Sequence, residues 1–395
     1  MDAQTAPSAD DLLTRIREIE PLIRDESAAA EKERHLSTSV ADALRSLGCY
    51  RLFRPRERGG YGFDPVSGFR IVEELARIDS AAGWNVAVAN GCDVFGAWFS
   101  DEVTEEIFGP ADTTLAGGLF PPRKAIATEG GYLVSGRTLF NSNCRAADWV
   151  LCEAMIYDND EQRLDEDGVP QGLFMYFPLR DAVIIENWDT LGMRGTGSHD
   201  IEVTNLFVPE KRTAPLLPLE STCSAYSGPL HRLGIWPALA INGVTALGVA
   251  QAAIDAFIEL AGNKTPAYTS KTLRDKSVVQ LRVGEAEAHV RAGRALLYEA
   301  FNAAWSNAVD GNFLNIEQKA DCQQATSHMV MESARAVDLI HSVASSASIR
   351  NDKSFQRHFR DIHVITQHAF FCEGRLEAVG QIRLGLDSDW DFLYF

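Results

Sequence analysis

Two side chains, Ser142 and His368, have the chemistry to act at a bound cofactor. Ser142 lies in a segment predicted to end a β-strand, and its hydroxyl can donate or accept a hydrogen bond. His368 lies near the end of a helical stretch, and histidine titrates close to neutral pH, which suits it to acid/base chemistry. The nine histidines form no HxH or HExxH pattern, so we predict no metal site.

Three stretches of the chain must position these residues, and they differ in hydrophobic periodicity. The first, residues 1–112, has apolar residues at helical spacing and predicts helices around 12–23, 37–47, 67–78 and 81–100. The second, residues 113–225, holds β-type runs at 132–135, 149–156, 173–177, 182–187 and 201–207. The third, residues 226–395, returns to helix at 241–260, 279–305, 316–343 and 355–371. This order predicts an α+β protein and disfavours a Rossmann fold, because no GxGxxG follows a strand.

Composition and charge narrow the class of protein further. The 395 residues are 46% hydrophobic and carry a formal net charge of −18, which argues against a nucleic acid or an anionic membrane as partner. The seven cysteines are scattered without CxxC spacing and predict reduced thiols in a cytoplasmic protein. We see neither a signal peptide nor a membrane span in the sequence.

Four segments, in this order, resemble the acyl-CoA dehydrogenase fold. Residues 78–84 place an acidic residue, small residues and a Trp on a buried helix, and residues 140–149 match the strand end that reaches the flavin in that family. Residues 188–198 lead on to Val208-Pro209-Glu210, and residues 356–361 contain an Arg-Asp motif. The resemblance covers nearly the whole chain. It implies an N-terminal α-helical domain (1–112), a middle β-barrel-like domain (113–225) and a C-terminal four-helix bundle (226–395).

The residue at the base position separates two chemistries within this fold. Many of the dehydrogenases abstract a proton beside an acyl-CoA carbonyl with a glutamate that follows the Arg-Asp motif. Here Arg360-Asp361 is followed by His368 almost at that position, and the nearest carboxylate, Glu373, comes too late. This pattern is similar to the reduced-flavin monooxygenases of the same fold, such as the oxygenase components of two-component hydroxylases.

The resemblance implies roles for the two candidate catalytic residues. Ser142 would contact the flavin near its C4a–N5 edge and protect the C4a-hydroperoxide that reduced flavin (FMNH2 or FADH2) forms with molecular oxygen. His368 would take a phenolic proton or hydrogen-bond the distal peroxide, and it would also contact the substrate. The chain has Asn143 where these relatives have Gly, which predicts an altered loop because Asn adopts left-handed φ less freely than Gly.

Further site residues follow from the same resemblance. Trp188, Thr196 and Ser198 would contact the flavin, and a neighbouring subunit of a homotetramer would help to hold the flavin phosphate. The candidates for that phosphate contact are Lys264, Arg274, Ser348 and Asn351. The candidate substrate walls are Phe95, Trp98 and Phe120, which suit an aromatic or otherwise flat, apolar small molecule.

The resemblance therefore implies a flavin-dependent monooxygenase. The chain lacks a nicotinamide-binding pattern, so we expect a separate NAD(P)H-flavin reductase to supply the reduced flavin. Three alternatives stay open on the sequence alone. They are an acyl-CoA dehydrogenase-type enzyme that uses oxidised FAD, a heteroatom (N or S) oxygenase, and a non-catalytic flavin-binding protein.

Overall fold

Six helices form the N-terminal part of the computed structural model, which describes residues 7–216 and 221–394. Polar side chains fix where several of them begin, since Ser8 forms a capping box at the first helix and Ser37, Asp64 and Asp79 accept backbone N–H bonds at the third, fourth and fifth. The helices are α1 (Ala9–Glu18), α2 (Glu20–Glu33), α3 (Thr38–Ser46), α4 (Pro65–Ile78), α5 (Ser80–Val94) and α6 (Asp101–Phe108).

A mixed sheet follows, and its strands all lie between Leu115 and Pro215 among the described residues. One face of the sheet buries its own apolar cluster, which includes Val150 and Cys152, and the other face packs against the helices through Leu151 and Phe174. The strand order is β6-β7-β2-β1-β3-β5-β8, with β4 paired to β3 and a parallel pairing of β1 with β3. The strands are β1 (Leu115–Thr128), β2 (Gly131–Thr138), β3 (Trp149–Asp158), β4 (Glu161–Gln162), β5 (Gly172–Pro178), β6 (Val183–Ile185), β7 (Asp200–Pro209) and β8 (Thr213–Pro215).

The C-terminal part is helical again, as predicted. Its four main helices are α8 (Trp236–Asn263), α9 (Ser277–Val309), α10 (Ile316–Val343) and α11 (Phe355–Ile365), and the short α7 (Pro229–Arg232) and α12 (Arg375–Arg383) flank them. Helix α8 packs against α4, α5, α10 and α11, so it joins the two helical parts into one core. By length and composition α8 would suffice to cross a membrane, but most of its apolar run is buried inside the fold. We interpret it as the central core helix.

Two predicted helices end earlier in the structure, and one strand was not predicted. The helix predicted over 81–100 ends at Val94 and passes into a 3-10 turn, Phe95–Trp98. The helix predicted over 355–371 ends at Ile365, so His368 lies in the turn that follows α11 rather than on the helix. Strand β1 was not predicted, because its Gly and Pro residues interrupt the alternation that identifies a strand. The seven cysteines are free thiols, as expected.

Candidate active site

Helix α5 carries the centre of the candidate site, and a buried ion pair anchors it at each end. At its start, Asp79 accepts N–H bonds of 2.9 and 3.0 Å from Ala81 and Ala82 and pairs with Arg357 of α11 at 3.2 Å. Near its end, Asp93 pairs with the fully buried Arg54 at 2.7 Å. Buried charges are stable only when paired, so these contacts fix the helix in place.

Asp361 of α11 links three elements at the same end of α5. Its carboxylate accepts a 2.6 Å bond from the Ser80 hydroxyl of α5 and a 2.6 Å bond from the backbone N–H of Met193. Burial raises the pKa of Asp361, while the nearby Arg357 acts in the opposite direction. The Arg-Asp motif therefore holds the loop that carries Trp188 and Thr196 against the helices.

Two loops converge on Trp84 of α5, and both contain residues in the left-handed region. Phe140 (φ 59°) and Asn143 (φ 66°) belong to the loop around Ser142, and Met193 (φ 54°) and Gly197 (φ 58°) belong to the other. Strained backbone of this kind often lies at functional sites.

Asn143 itself adopts the left-handed conformation, with φ 66°. Its buried side chain compensates by donating to the Thr114 hydroxyl at 3.2 Å and to the Leu115 carbonyl at 3.0 Å. These two hydrogen bonds stabilise the left-handed conformation at Asn143.

A row of hydroxyl groups joins the two loops, and its proton order can be deduced. The Thr196 hydroxyl donates to the Met193 carbonyl at 2.8 Å, so it must accept from Ser198 at 2.6 Å. Ser198 has then used its proton and must accept from Ser142, also at 2.6 Å. Ser142 in turn accepts from the Trp84 indole N–H at 2.9 Å. The Ser142 oxygen is left with one free lone pair and no free proton.

His368 packs against the same Trp84. Its ring is 5.5 Å from the Trp84 ring, edge to face, and stacks on Phe371 at 4.6 Å. Burial lowers its pKa to about 4, so the ring is neutral at pH 7. Nδ1 accepts the Phe370 backbone N–H at 3.3 Å, which assigns the proton to Nε2. The structure thus brings Ser142 and His368 into contact with the same indole.

The surroundings of Trp188 fit a flat polar heterocycle such as a flavin ring. Phe140 is 63% exposed, and its ring lies 6.0 Å from that of the nearly buried Trp188. Within the described residues, three buried oxygens of the neighbouring loop have no hydrogen-bond partner, those of the side chains of Thr138, Asn141 and Asn143. The exposed Phe140 ring beside Trp188 offers an aromatic surface of the kind on which a flat heterocycle stacks.

The candidate phosphate residues lie elsewhere in the same chain. Gly83 and Gly248 both pack on Ala76, which places Trp84 beside the middle of α8. Lys264 follows Gly248 by sixteen residues, so it lies about 24 Å further along the helix axis.

Of the four candidates, Lys264 and Ser348 come together. The Lys264 ammonium group donates to the Ala344 carbonyl at 3.2 Å and to the Ser346 hydroxyl at 3.3 Å, and the nearly buried Ser348 follows in the same turn. Arg274 and Asn351 are exposed.

The candidate substrate walls fall into two environments. Phe95 and Trp98 are buried, and Phe95 packs edge to face on Trp98 at 5.0 Å and on Phe174 of β5 at 4.9 Å. Phe120 is 74% exposed, at an irregularity where the pairing of β1 with β3 shifts register. Glu153 of β3 lies opposite Phe174 and was not predicted from the sequence.

Other residues weighed from the sequence have structural contacts. Arg194 pairs with Asp189 at 2.7 Å and donates to the Thr190 carbonyl, so it closes its own loop. His363 pairs with Asp338 at 2.9 Å near the surface of α11. Glu373 is exposed, which disfavours it as a base at the position that His368 occupies.

Comparisons with known proteins agree with this architecture. Residues 16–109 match the family model for the acyl-CoA dehydrogenase N-terminal domain, and residues 240–373 match the model for the C-terminal domain. The chain is 29% identical over 372 residues to an indole-3-acetate monooxygenase of Acinetobacter baumannii, covering 92% of each chain.

Two further proteins are similar over almost their whole length. The oxygenase component of p-hydroxyphenylacetate 3-hydroxylase from Acinetobacter baumannii is 25% identical, with 96% of this chain and 90% of that one covered. The structure of XiaF from a Streptomyces species, in complex with FADH2 and glycerol, superposes with a TM-score of 0.87 at 24% identity and 96% coverage of both chains.

Proposed function

The chain belongs to the acyl-CoA dehydrogenase-fold flavin-dependent monooxygenases, and we propose that it is the oxygenase component of a two-component system. In this proposal it uses reduced flavin and molecular oxygen to hydroxylate a flat aromatic small molecule. The observation that carries the proposal is the arrangement around Trp84, whose indole bonds to Ser142 and packs against a neutral His368. The indole-3-acetate and p-hydroxyphenylacetate enzymes provide the precedent for an aromatic substrate.

The proton order of the hydroxyl row supports a preference for reduced flavin. Ser142 gives its proton to Ser198 and keeps a lone pair for an N–H donor. A reduced isoalloxazine carries such a donor at N5, and an oxidised one does not. A bound reduced flavin supplies two electrons to molecular oxygen. Thr196 and Ser198 hold Ser142 in its acceptor orientation. Trp188 and Phe140 provide the aromatic surface against which the flavin ring packs.

The hydrogen bond at Nδ1 makes His368 a donor rather than a base. The Nε2–H group can donate to an oxygen atom of the substrate or of the activated oxygen, and the low pKa keeps the ring neutral throughout the physiological range. A base at Nε2 would need the proton on Nδ1, which would cost the bond to Phe370. Of the two roles predicted for His368, this geometry favours hydrogen bonding.

The remaining assignments complete the proposal. Phe95, Trp98 and Phe120 line the substrate side, and a separate NAD(P)H-flavin reductase supplies FMNH2 or FADH2. Lys264, Arg274, Ser348 and Asn351 contact the flavin phosphate of a neighbouring subunit in a cytoplasmic homotetramer. Support for contact across subunits comes from the distance of Lys264 from Trp84 along α8, which is too great for a compact flavin mononucleotide bound at Ser142.

The experiment that tests this function compares the binding of reduced and oxidised flavin, and the product yields of two histidine variants. Anaerobic titration should give tighter binding of reduced than of oxidised flavin, and mixing with oxygen and an aromatic panel should give a hydroxylated product. His368→Ala should still bind reduced flavin but should form at least about tenfold less product per flavin oxidised, the remainder appearing as hydrogen peroxide. His363→Ala, which removes a surface histidine, is the control.

The pH profile separates the two roles of His368. A neutral donor with a pKa of about 4 predicts a product yield without a step near pH 6.5. Equal binding of both redox forms together with no oxygen consumption would refute the monooxygenase, and unchanged coupling in His368→Ala would remove His368 from the mechanism.

A further inference from the structure

Glu153 is a carboxylate on the helix-facing side of the sheet. Residues directly opposite in an antiparallel pair share a face, and Glu153 pairs with Phe174, whose ring contacts Phe95 at 4.9 Å. Glu153 therefore points toward the cluster of Phe95, Trp98 and Phe174. Within residues 7–216 and 221–394 its carboxyl group makes no hydrogen bond or ion pair, although the residue is only partly exposed.

The same face connects Glu153 to the candidate site. Ser142 forms an isolated bridge with Gly117 of β1, and Gly117 is paired with Leu151 of β3, two residues before Glu153. From Ser142 the path crosses two strand spacings, to Gly117 and then to Leu151, and runs two residues along β3 to Glu153. These steps place the backbones of Ser142 and Glu153 about 12 Å apart. This separation suits a small aromatic molecule lying between them.

The exposure pattern indicates an opening along this path. Gly117, Leu119 and Glu153 are partly exposed, whereas Leu151 and Phe174 beside them are buried. The three partly exposed residues follow the start of β1 and the adjoining part of β3. Binding sites for small molecules are typically apolar with a few polar groups that fix orientation, and an unpaired carboxyl beside three aromatic rings has this composition.

We propose that Glu153 determines substrate specificity by receiving the end of the aromatic substrate that is remote from Ser142. The matching substrate carries a hydrogen-bond donor there, as a neutral hydroxyl or amine or as an ammonium group, and not a carboxylate. A second carboxylate facing Glu153 would be repelled and left without a partner in a partly dehydrated site. This inference rests on the proposed function, because it assumes that the aromatic substrate binds beside Ser142.

The environment of the carboxyl supports this assignment. Burial alone raises the pKa of Glu153 to about 7, with no nearby cation acting against it. A buried carboxyl with a perturbed pKa and no structural partner is typical of a functional site. The anchoring carboxylates Asp79 and Asp93, by contrast, each have an arginine partner.

Three phenols whose para side chains differ in charge test the inference. Tyramine (cationic), 4-ethylphenol (neutral) and 4-hydroxyphenylacetate (anionic) are titrated at pH 8, where Glu153 is ionised, into the complex of the full chain with reduced flavin under anaerobic conditions. Wild type should bind the anion at least about tenfold more weakly than the neutral or the cationic phenol. Glu153→Gln should narrow this difference at least about tenfold, while Glu161→Gln, an exposed carboxylate on the adjoining β4, should leave it unchanged.

The outcomes distinguish this inference from the proposed function. Failure of the chain to bind reduced flavin would refute the proposed function itself. Three outcomes with reduced flavin bound would refute the role of Glu153 and leave the monooxygenase assignment unaffected. In the first, wild type binds the anionic phenol most tightly. In the others, Glu153→Gln keeps the wild-type order of affinities, or none of the three phenols binds. Thermal melts of each variant confirm that the compared proteins are folded.

Discussion

The carboxylates at the start of α5 and the carboxyl of Glu153 on the sheet differ in whether they have partners. At the start of the helix, Asp79 pairs with Arg357, and Asp361 lies near the same arginine and accepts from the Ser80 hydroxyl and the Met193 N–H. On the sheet beyond the other end of the helix, Glu153 has no partner among the described residues. A buried charge with partners positions the elements that supply them, whereas a buried carboxyl without one destabilises the fold and is available to a ligand. The comparison separates the part of the molecule that orders the site from the part that recognises the substrate.

The largest expected effect comes from breaking the paired region. Arg357→Ala leaves Asp79 and Asp361 buried without their cation, so it should lower the free energy of unfolding by about 3–5 kcal/mol. Weaker flavin binding should accompany this loss, because the loop held by Asp361 carries Trp188. Urea denaturation and anaerobic flavin titration measure the two effects.

A surface pair provides the control for that prediction. Arg163→Ala removes an ion pair with Asp158 on the edge of the sheet, where solvent screens the charges, and should cost less than about 1 kcal/mol. Equal losses in Arg163→Ala and Arg357→Ala would show that the buried network does not order the site.

Removing the unpaired carboxyl of Glu153 should stabilise the fold, whereas breaking the paired region should destabilise it. The pKa of Glu153 is about 7 in the folded protein against 4.5 as its ordinary value, so folding opposes its ionisation, and stability is lost as the pH rises between these values. Glu153→Gln removes this penalty. Its stability advantage over wild type should grow by about 1–3 kcal/mol between pH 5 and pH 8, the range allowing for partial hydration of the carboxyl.

Denaturation curves at the two pH values measure this difference. Glu161→Gln, which is exposed, should show no such growth. A stabilisation of Glu153→Gln that is the same at pH 5 and pH 8 would mean that ionisation of Glu153 is not what destabilises the fold.

The sequence was sufficient to predict the parts of this molecule that repeat or match a motif. Helical periodicity predicted α10 with its observed bounds, and the motif around Ser142 identified the loop that meets Trp84. The link between Ser142 and His368 could not be predicted, because it runs through Trp84, whose contacts with both depend on how α5 packs.

Other features could not be predicted from the sequence, because they depend on tertiary contacts. Glu153 looks like an ordinary outward-facing strand residue, and only its pairing with Phe174 shows that it faces the helices. Asn143 departs from the family pattern in sequence, and only the structure shows that its amide group donates to the Thr114 hydroxyl and the Leu115 carbonyl. Strand β1 lacks the alternation on which strand prediction depends.

The smallest expected effect tests whether the paired side of the site also sets the redox preference. In Ser198→Ala, Ser142 loses the acceptor of its proton and becomes free to donate to N5 of an oxidised flavin. One neutral hydrogen bond contributes about 0.5–1.5 kcal/mol, so the ratio of reduced to oxidised flavin affinity should fall about two- to tenfold. Ser135→Ala, which removes an exposed hydroxyl bonded to Asn205, should leave the ratio unchanged. A ratio that is also unchanged in Ser198→Ala would mean that the proton order of the row does not select the reduced cofactor, and that the selection lies in Trp188 and the surrounding backbone instead.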